Sequence, residues 1–101
     1  MQMRRCGKSN VRLPIIGFGS MRMHGDDVGH WAGIVREAML AGFTYVDAGN
    51  TYCSWTNETK IGLGIKGLRD KVVLSTKCSG RNNPTASDVR PGSFSSSVAK
   101  L

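Results

Sequence analysis

The chain has 101 residues, 40% of them hydrophobic and 21% charged, which fits at most one small globular domain over 1–101. No apolar run approaches the roughly 18–20 residues of a membrane helix. No apolar segment follows the basic start Met1-Gln2-Met3-Arg4-Arg5-Cys6-Gly7-Lys8, so it is not a secretory signal and the expected location is the cytoplasm. The net charge of +7 is dispersed, without a Lys/Arg block or interleaved aromatics. That argues against a nucleic-acid partner and suits a solvated basic face, or one that meets a phosphorylated cofactor.

The three cysteines, Cys6, Cys53 and Cys78, are widely spaced and form no C-x-x-C pair. They read as reduced thiols rather than as a zinc site or a redox motif.

In chain order, residues 3–13 read as a hairpin around the turn cluster Gly7-Lys8-Ser9-Asn10, and Pro14 is expected to break its pairing. Ile15-Ile16-Gly17-Phe18-Gly19 reads as a short buried strand entering the loop Gly19-Ser20-Met21. Asp26 or Asp27 can cap a helix. Val28, Trp31, Ile34, Val35, Ala38 and Met39 then recur at helical spacing, and Gly42 suits a left-handed C-terminal cap. Phe43–Val46 is the next strand. Asn57–Ile65 is a second helix in which Ile61 and Ile65 share a face. Its Gly62 and Gly64 are expected to allow close approach to a sheet, and Gly67 is expected to end it. Val72–Thr76 is the third strand. Strand, helix, strand, helix, strand is the order of a parallel α/β sheet. Beyond it, Ser79–Ser87 reads as a polar loop. Asp88-Val89-Arg90 starts a helix that Pro91-Gly92 would interrupt, and Val98–Leu101 is helical again.

Two of these strands stop at charged residues. Tyr45-Val46-Asp47 leads into Ala48-Gly49-Asn50-Thr51-Tyr52, and Val72-Val73-Leu74-Ser75-Thr76 ends on Lys77. Buried parallel strands end so when their last residues reach a polar cavity. Taken singly, Asp47 reads as a turn cap, Tyr52 as an amphipathic rim residue and Lys77 as a solvated strand end. Taken together, an acid, a phenol and an ammonium at neighbouring strand ends can form a proton-transfer centre. A phenol can protonate a developing alkoxide if its pKa of about 10 is lowered. A nearby ammonium favours the phenolate, and a carboxylate holds that ammonium in place. Trp55 lies just after Tyr52 and can line a pocket or stand exposed in its loop. There is no G-x-G-x-x-G, so no Rossmann fingerprint.

Four segments carry a family resemblance. Ile16-Gly17-Phe18-Gly19-Ser20-Met21, behind the hairpin that opens at Met3-Arg4-Arg5, is similar to a G-F-G-[TGS]-M segment. Ala38-x-x-Ala41-Gly42-Phe43-Thr44-Tyr45-Val46-Asp47 is similar to A-x-x-x-G-x-x-[FY]-x-D-T-A. Asn57-Glu58-x-x-Ile61-Gly62-x-x-Ile65-Lys66 is similar to [SN]-E-x-x-[LIV]-G-x-[AG]-[LI]-K. Arg69-Asp70-Lys71-Val72-Val73-Leu74-Ser75-Thr76-Lys77 follows R-[DE]-x-[VI]-x-[LIV]-x-[ST]-K. In this order they resemble the N-terminal part of the aldo-keto reductases, over most of the chain as far as about Arg90.

The resemblance implies the N-terminal portion of a (β/α)8 TIM barrel with an N-terminal hairpin, about three of the eight βα units. It also implies reduction of a small aldehyde or ketone by NADP(H) or NAD(H). Asp47, Tyr52 and Lys77 match three members of the family's Asp-Tyr-Lys-His catalytic set. By resemblance, the backbone of Gly19, Ser20 and Met21 borders the nicotinamide ribose. The family's histidine ends the next strand, and neither His24 nor His30 stands in that place. The segments that grip the rest of the cofactor come from the last barrel units. The expectation is a truncated reductase that alone is inactive, holds no cofactor tightly and tends to self-associate. The alternative is a non-catalytic binding or regulatory module built on a half-barrel. One departure is local: the family's D-T-A is Asp47-Ala48-Gly49 here, which removes a hydroxyl beside the acid. Another is the helix before the family's fourth strand, of which Ser97-Val98-x-x-Leu101 keeps a trace.

Overall fold

The computed structural model describes residues 1–78. Its elements are β1 (Met3–Arg5), β2 (Arg12–Pro14), β3 (Phe18–Gly19), α1 (Val28–Leu40), β4 (Tyr45–Asp47), α2 (Asn57–Gly64) and β5 (Val73–Ser75), with a 3₁₀ turn at Arg69–Lys71 before β5. The loop and helix expected over 79–101 lie outside the described residues.

β1 and β2 pair antiparallel around a turn in which Gly7 has φ +55°. Pro14 does not end the pairing as expected. It sits opposite Met3, and the next residue still donates from Ile15 N to Gln2 O at 3.0 Å. Antiparallel pairs alternate between bonded and non-bonded positions. The bonds from Cys6 N to Val11 O and from Ile15 N to Gln2 O put Pro14 on a non-bonded one, where its missing N–H costs nothing.

β3, β4 and β5 form a parallel sheet in sequence order. β3 is shorter than expected. Ile15 and Ile16 are exposed, in a bend still tied to the hairpin, and pairing starts only where Phe18 meets Val46. β4 starts two residues later than expected, because Phe43 N is taken by Ala38 O at the end of α1.

α1 starts at Asp27, whose Oδ1 accepts from His30 N at 2.9 Å. Such a cap contributes about 0.5–2 kcal/mol. Gly42, at φ +105°, donates its N–H to Met39 O and so closes the helix in the left-handed conformation. Val35, Met39, Ile61, Ile65, Val46 and Val72 are buried in one core between the helices and the sheet. Each such side chain contributes about 1.5–3 kcal/mol on burial. Gly64 serves the packing of α2 on α1, not on the sheet as expected. A Cβ there would lie 2.7 Å from Val35 and 2.8 Å from Ala32 O. α2 ends at Gly64, before Gly67, whose φ of +80° belongs to the following turn.

Period-two alternation divides the sheet. Val46, Val72 and Leu74 turn to the helices, while Tyr45, Asp47, Val73 and Ser75 share the other, half-buried face. Among the described residues no helix is long and apolar enough to cross a membrane.

Candidate active site

The parallel register sets Gly19, Asp47 and Ser75 side by side at the C-terminal ends of the three strands. The chain after Asp47 continues alongside β5. Ala48 N donates to Ser75 O at 2.8 Å and Asn50 N to Lys77 O at 3.2 Å. Lys77, two residues beyond Ser75, is thereby anchored by its backbone above Asp47.

Its ammonium donates to Asp47 Oδ2 at 2.7 Å and to Ala48 O at 2.8 Å. It also stands over the Tyr52 ring, 4.8 Å from the centroid. The three residues that the sequence singles out are thus in one cluster. Gly49 allows it: a Cβ there would come within 3.0 Å of the Tyr52 ring, so the ring can lie close against this backbone. Tyr52 is further held through its own main chain, with N donating to Gly49 O and O accepting from Asn57 N.

Partial burial works against both charges, but the partners outweigh it. The bonds from Lys77 and Ser75, with the charge of Lys77, hold the Asp47 carboxyl below its ordinary 3.8. Burial pulls the Lys77 ammonium down, while Asp47 and Tyr52 push it further, to a net rise above its ordinary 10.5.

The loop after β3 is locked from below. Ser20 is buried, its Oγ donates to Asp47 O at 2.6 Å, and its carbonyl accepts from Asn57 Nδ2 at 2.9 Å. The Asn57 Oδ1 accepts from Gly49 N at 3.2 Å. Lys60, fully buried, donates to Met23 O at 2.6 Å and Gly25 O at 2.7 Å, which ties the same loop to α2. Gly19 and Met21, by contrast, face open space: no atom lies within 4 Å of a Cβ built on Gly19, and Met21 is exposed.

Ser75, Asn57 and Lys60 were not singled out in the sequence. Asn57 had a signal, as the first residue of the [SN]-E segment. Ser75 had none beyond lying two residues before Lys77, on the same face. Trp55 is exposed, in a turn where Cys53, Ser54 and Trp55 all have positive φ, of 54°, 54° and 69°. A cleft of about 180 Å³ lined by Met39, Leu40, Thr44 and Leu68 lies at the opposite ends of the strands, away from this cluster. Among the described residues no three His, Cys, Asp or Glu side chains form a metal-ligand set.

The family model of the aldo/keto reductase family matches residues 15–100. The chain belongs to this family. It is 30% identical over 81 residues to an uncharacterized oxidoreductase, YqkF, of Bacillus subtilis, covering 80% of this chain and 26% of that protein. The structure is similar to the holo form of the aldo-keto reductase AKR11C1 from Bacillus halodurans, with a TM-score of 0.79 and 24% identity. That match covers 100% of this chain and 36% of the other. It is also similar to an aldo/keto reductase from Klebsiella pneumoniae in complex with NADP and acetate. There the TM-score is 0.74 and the identity 25%, over 88% of this chain and 31% of the other. The chain thus spans a quarter to about a third of these relatives' lengths. Its hairpin and βαβαβ order are the N-terminal portion of an aldo-keto reductase barrel. In such barrels the active site sits at the C-terminal ends of the strands, the end where Asp47 and Lys77 stand.

Proposed function

We propose that this chain carries the proton-donating part of an NAD(P)H-dependent carbonyl reductase. Tyr52 is the general acid that protonates the oxygen of a small aldehyde or ketone. Lys77 is its charge partner, and Asp47 holds Lys77. The observation that carries this reading is the Lys77 ammonium, bonded to Asp47 at 2.7 Å and set over the Tyr52 ring at 4.8 Å. An ammonium in that position favours negative charge on the phenol as its proton leaves. Asp47 and Ala48 O take two of its three N–H bonds and so fix its direction.

A nicotinamide cofactor, when bound, supplies the hydride. The residues present fit its reactive end: Gly19, with nothing within 4 Å of where a Cβ would stand, and the exposed Met21 leave the strand end beside Asp47 open to the approach of a ligand to backbone. Ser20 contributes backbone there, since its hydroxyl is committed to Asp47 O. The Klebsiella relative's complex with NADP supports this choice of cofactor.

The test is carbonyl-dependent oxidation of NADPH and NADH by the full-length protein, over a panel of aldehydes and ketones. Turnover of at least one carbonyl is expected. A protein that binds neither nucleotide and oxidises neither with any carbonyl would overturn the reading.

A further inference from the structure

We propose that Tyr45 and Ser75 form a directed hydroxyl relay that fixes the Asp47 carboxylate and thereby sets where the Lys77 ammonium stands.

The relay follows from register. Asp47 and Ser75 are direct partners across β4 and β5, and Tyr45 lies two residues before Asp47 on the same face. The Tyr45 ring crosses Gly17, where a Cβ would come within 2.7 Å of Tyr45 Cδ1. This glycine makes the space that the ring occupies. From there the Tyr45 hydroxyl reaches Ser75 Oγ at 3.3 Å. Ser75 Oγ in turn lies 2.8 Å from Asp47 Oδ1, and a longer 3.5 Å from Val46 O.

The sense of the chain is fixed by donor count. An ionised carboxylate only accepts, and a serine has one proton to give. Ser75 gives that proton to Asp47, so Tyr45 must donate to Ser75. Hydrogen bonds in such a chain polarise one another. The two carboxylate oxygens then have separate donors, Ser75 on Oδ1 and Lys77 on Oδ2. Without the first, the carboxylate can rotate about its own axis, and Ala48 O is left as the one fixed acceptor of Lys77. Ala48 brings no hydroxyl to the flank of the acid; Ser75 brings one from the neighbouring strand.

The other groups around Asp47 do not substitute for it. Lys77 and Tyr52 are the titratable groups above the carboxylate. β3 and the loop after it contribute Gly19 and Ser20, neither of which titrates. The Glu58 carboxylate of α2 is bonded to Thr76 Oγ1 at 2.6 Å rather than to Asp47. Ser75 and Tyr45 are positioning residues. Their catalytic consequence rests on the proposed role of Lys77, but their effect on the carboxylate does not.

The experiment reads that carboxylate. Full-length protein carrying carbon-13 at its aspartate carboxyl groups is titrated by NMR in the wild-type, Ser75→Ala, Ser75→Thr and Tyr45→Phe forms. Asp47 is expected to titrate at higher pH in Ser75→Ala and at its original pH in Ser75→Thr, which keeps the hydroxyl. In Tyr45→Phe it should move up by less. In the double variant Ser75→Ala/Tyr45→Phe it should move no further than in Ser75→Ala, because linked groups are not additive. An unmoved Asp47 in Ser75→Ala, or a Ser75→Thr variant that moves as far as Ser75→Ala, would overturn the relay. If Ser75→Ala fails to fold, Tyr45→Phe decides: no upward movement there overturns it too. A wild-type protein without turnover, but with these shifts, would remove the proposed function and leave the relay standing.

Discussion

Lys77 and Asp47 are 48% and 40% exposed, so their ion pair contributes about 0–1 kcal/mol of stability. Its value lies in orientation rather than in holding the fold. The signs of the two pKa shifts fix where it persists. Asp47 is lowered, so its contribution is present above the unfolded value and is lost as pH falls through the folded one, below 3.8. Lys77 is raised, so its contribution is present below 10.5 and is lost as pH rises beyond that. Between these limits both groups stay charged. The pH profile of kcat/KM should therefore show no ionisation from this pair within that window. An inflection there that persists in Tyr52→Phe but vanishes in Lys77→Met would contradict the assignment. Asp47, Tyr52 and Lys77 were legible in the sequence because each ends a β-branched run or follows one at a spacing that a family pattern shares. Ser75 was not legible. A serine inside a strand reads as filler until the register shows that it faces Asp47, and the glycines that admit Tyr45 and Tyr52 gain meaning only from the rings lying against them.

At the scale of elements, the periodic segments were the readable ones. The Val28–Met39 pattern, a cap at Asp26 or Asp27 and Gly42 predict α1 closely, and Ile61 and Ile65 predict the buried face of α2. Strand limits were less readable, because tertiary bonds decide them: Phe43 is claimed by α1, and Ile15 by the hairpin. The three successive left-handed residues Cys53–Trp55 could not be foreseen, since none is glycine. Each costs about 1–2 kcal/mol in backbone strain, offset by the bonds of Thr56 Oγ1 and Thr56 N to Cys53 O and of Cys53 Sγ to Met21 O. The helix–helix contact gives a sharper test. Gly64→Ala adds helix propensity worth about 1 kcal/mol. It also drives a methyl group to 2.8 Å from Ala32 O and 2.7 Å from Val35. Because the Ala32 oxygen belongs to backbone, overpacking of about 1–3 kcal/mol should win. Urea unfolding of the full-length protein should show a lower midpoint for the variant; an equal or higher midpoint would mean that the helices part easily.

For the whole molecule, the open sheet is the dominant fact. Among the described residues, β3 and β5 each have one neighbour, so each leaves an edge that a closed barrel would pair. Ile15, Ile16 and Leu63 add exposed apolar surface. The isolated 101-residue chain should therefore self-associate, and its charge of +7 slows that association without closing the edges. Light scattering should show species larger than a monomer. A monodisperse monomer with a sharp cooperative unfolding transition would instead favour a self-sufficient binding module. The hairpin and the parallel order were readable from the sequence; what pairs with the two edges depends on long-range strand pairing that no local pattern encodes. The central claim, that Tyr52 gives the proton while Lys77 and Asp47 prepare it, is tested most directly by Tyr52→Phe in the full-length protein. Turnover of the best carbonyl substrate should fall about 10²–10⁴-fold while the dissociation constant for NADPH stays unchanged. A near-normal kcat in that variant would contradict it.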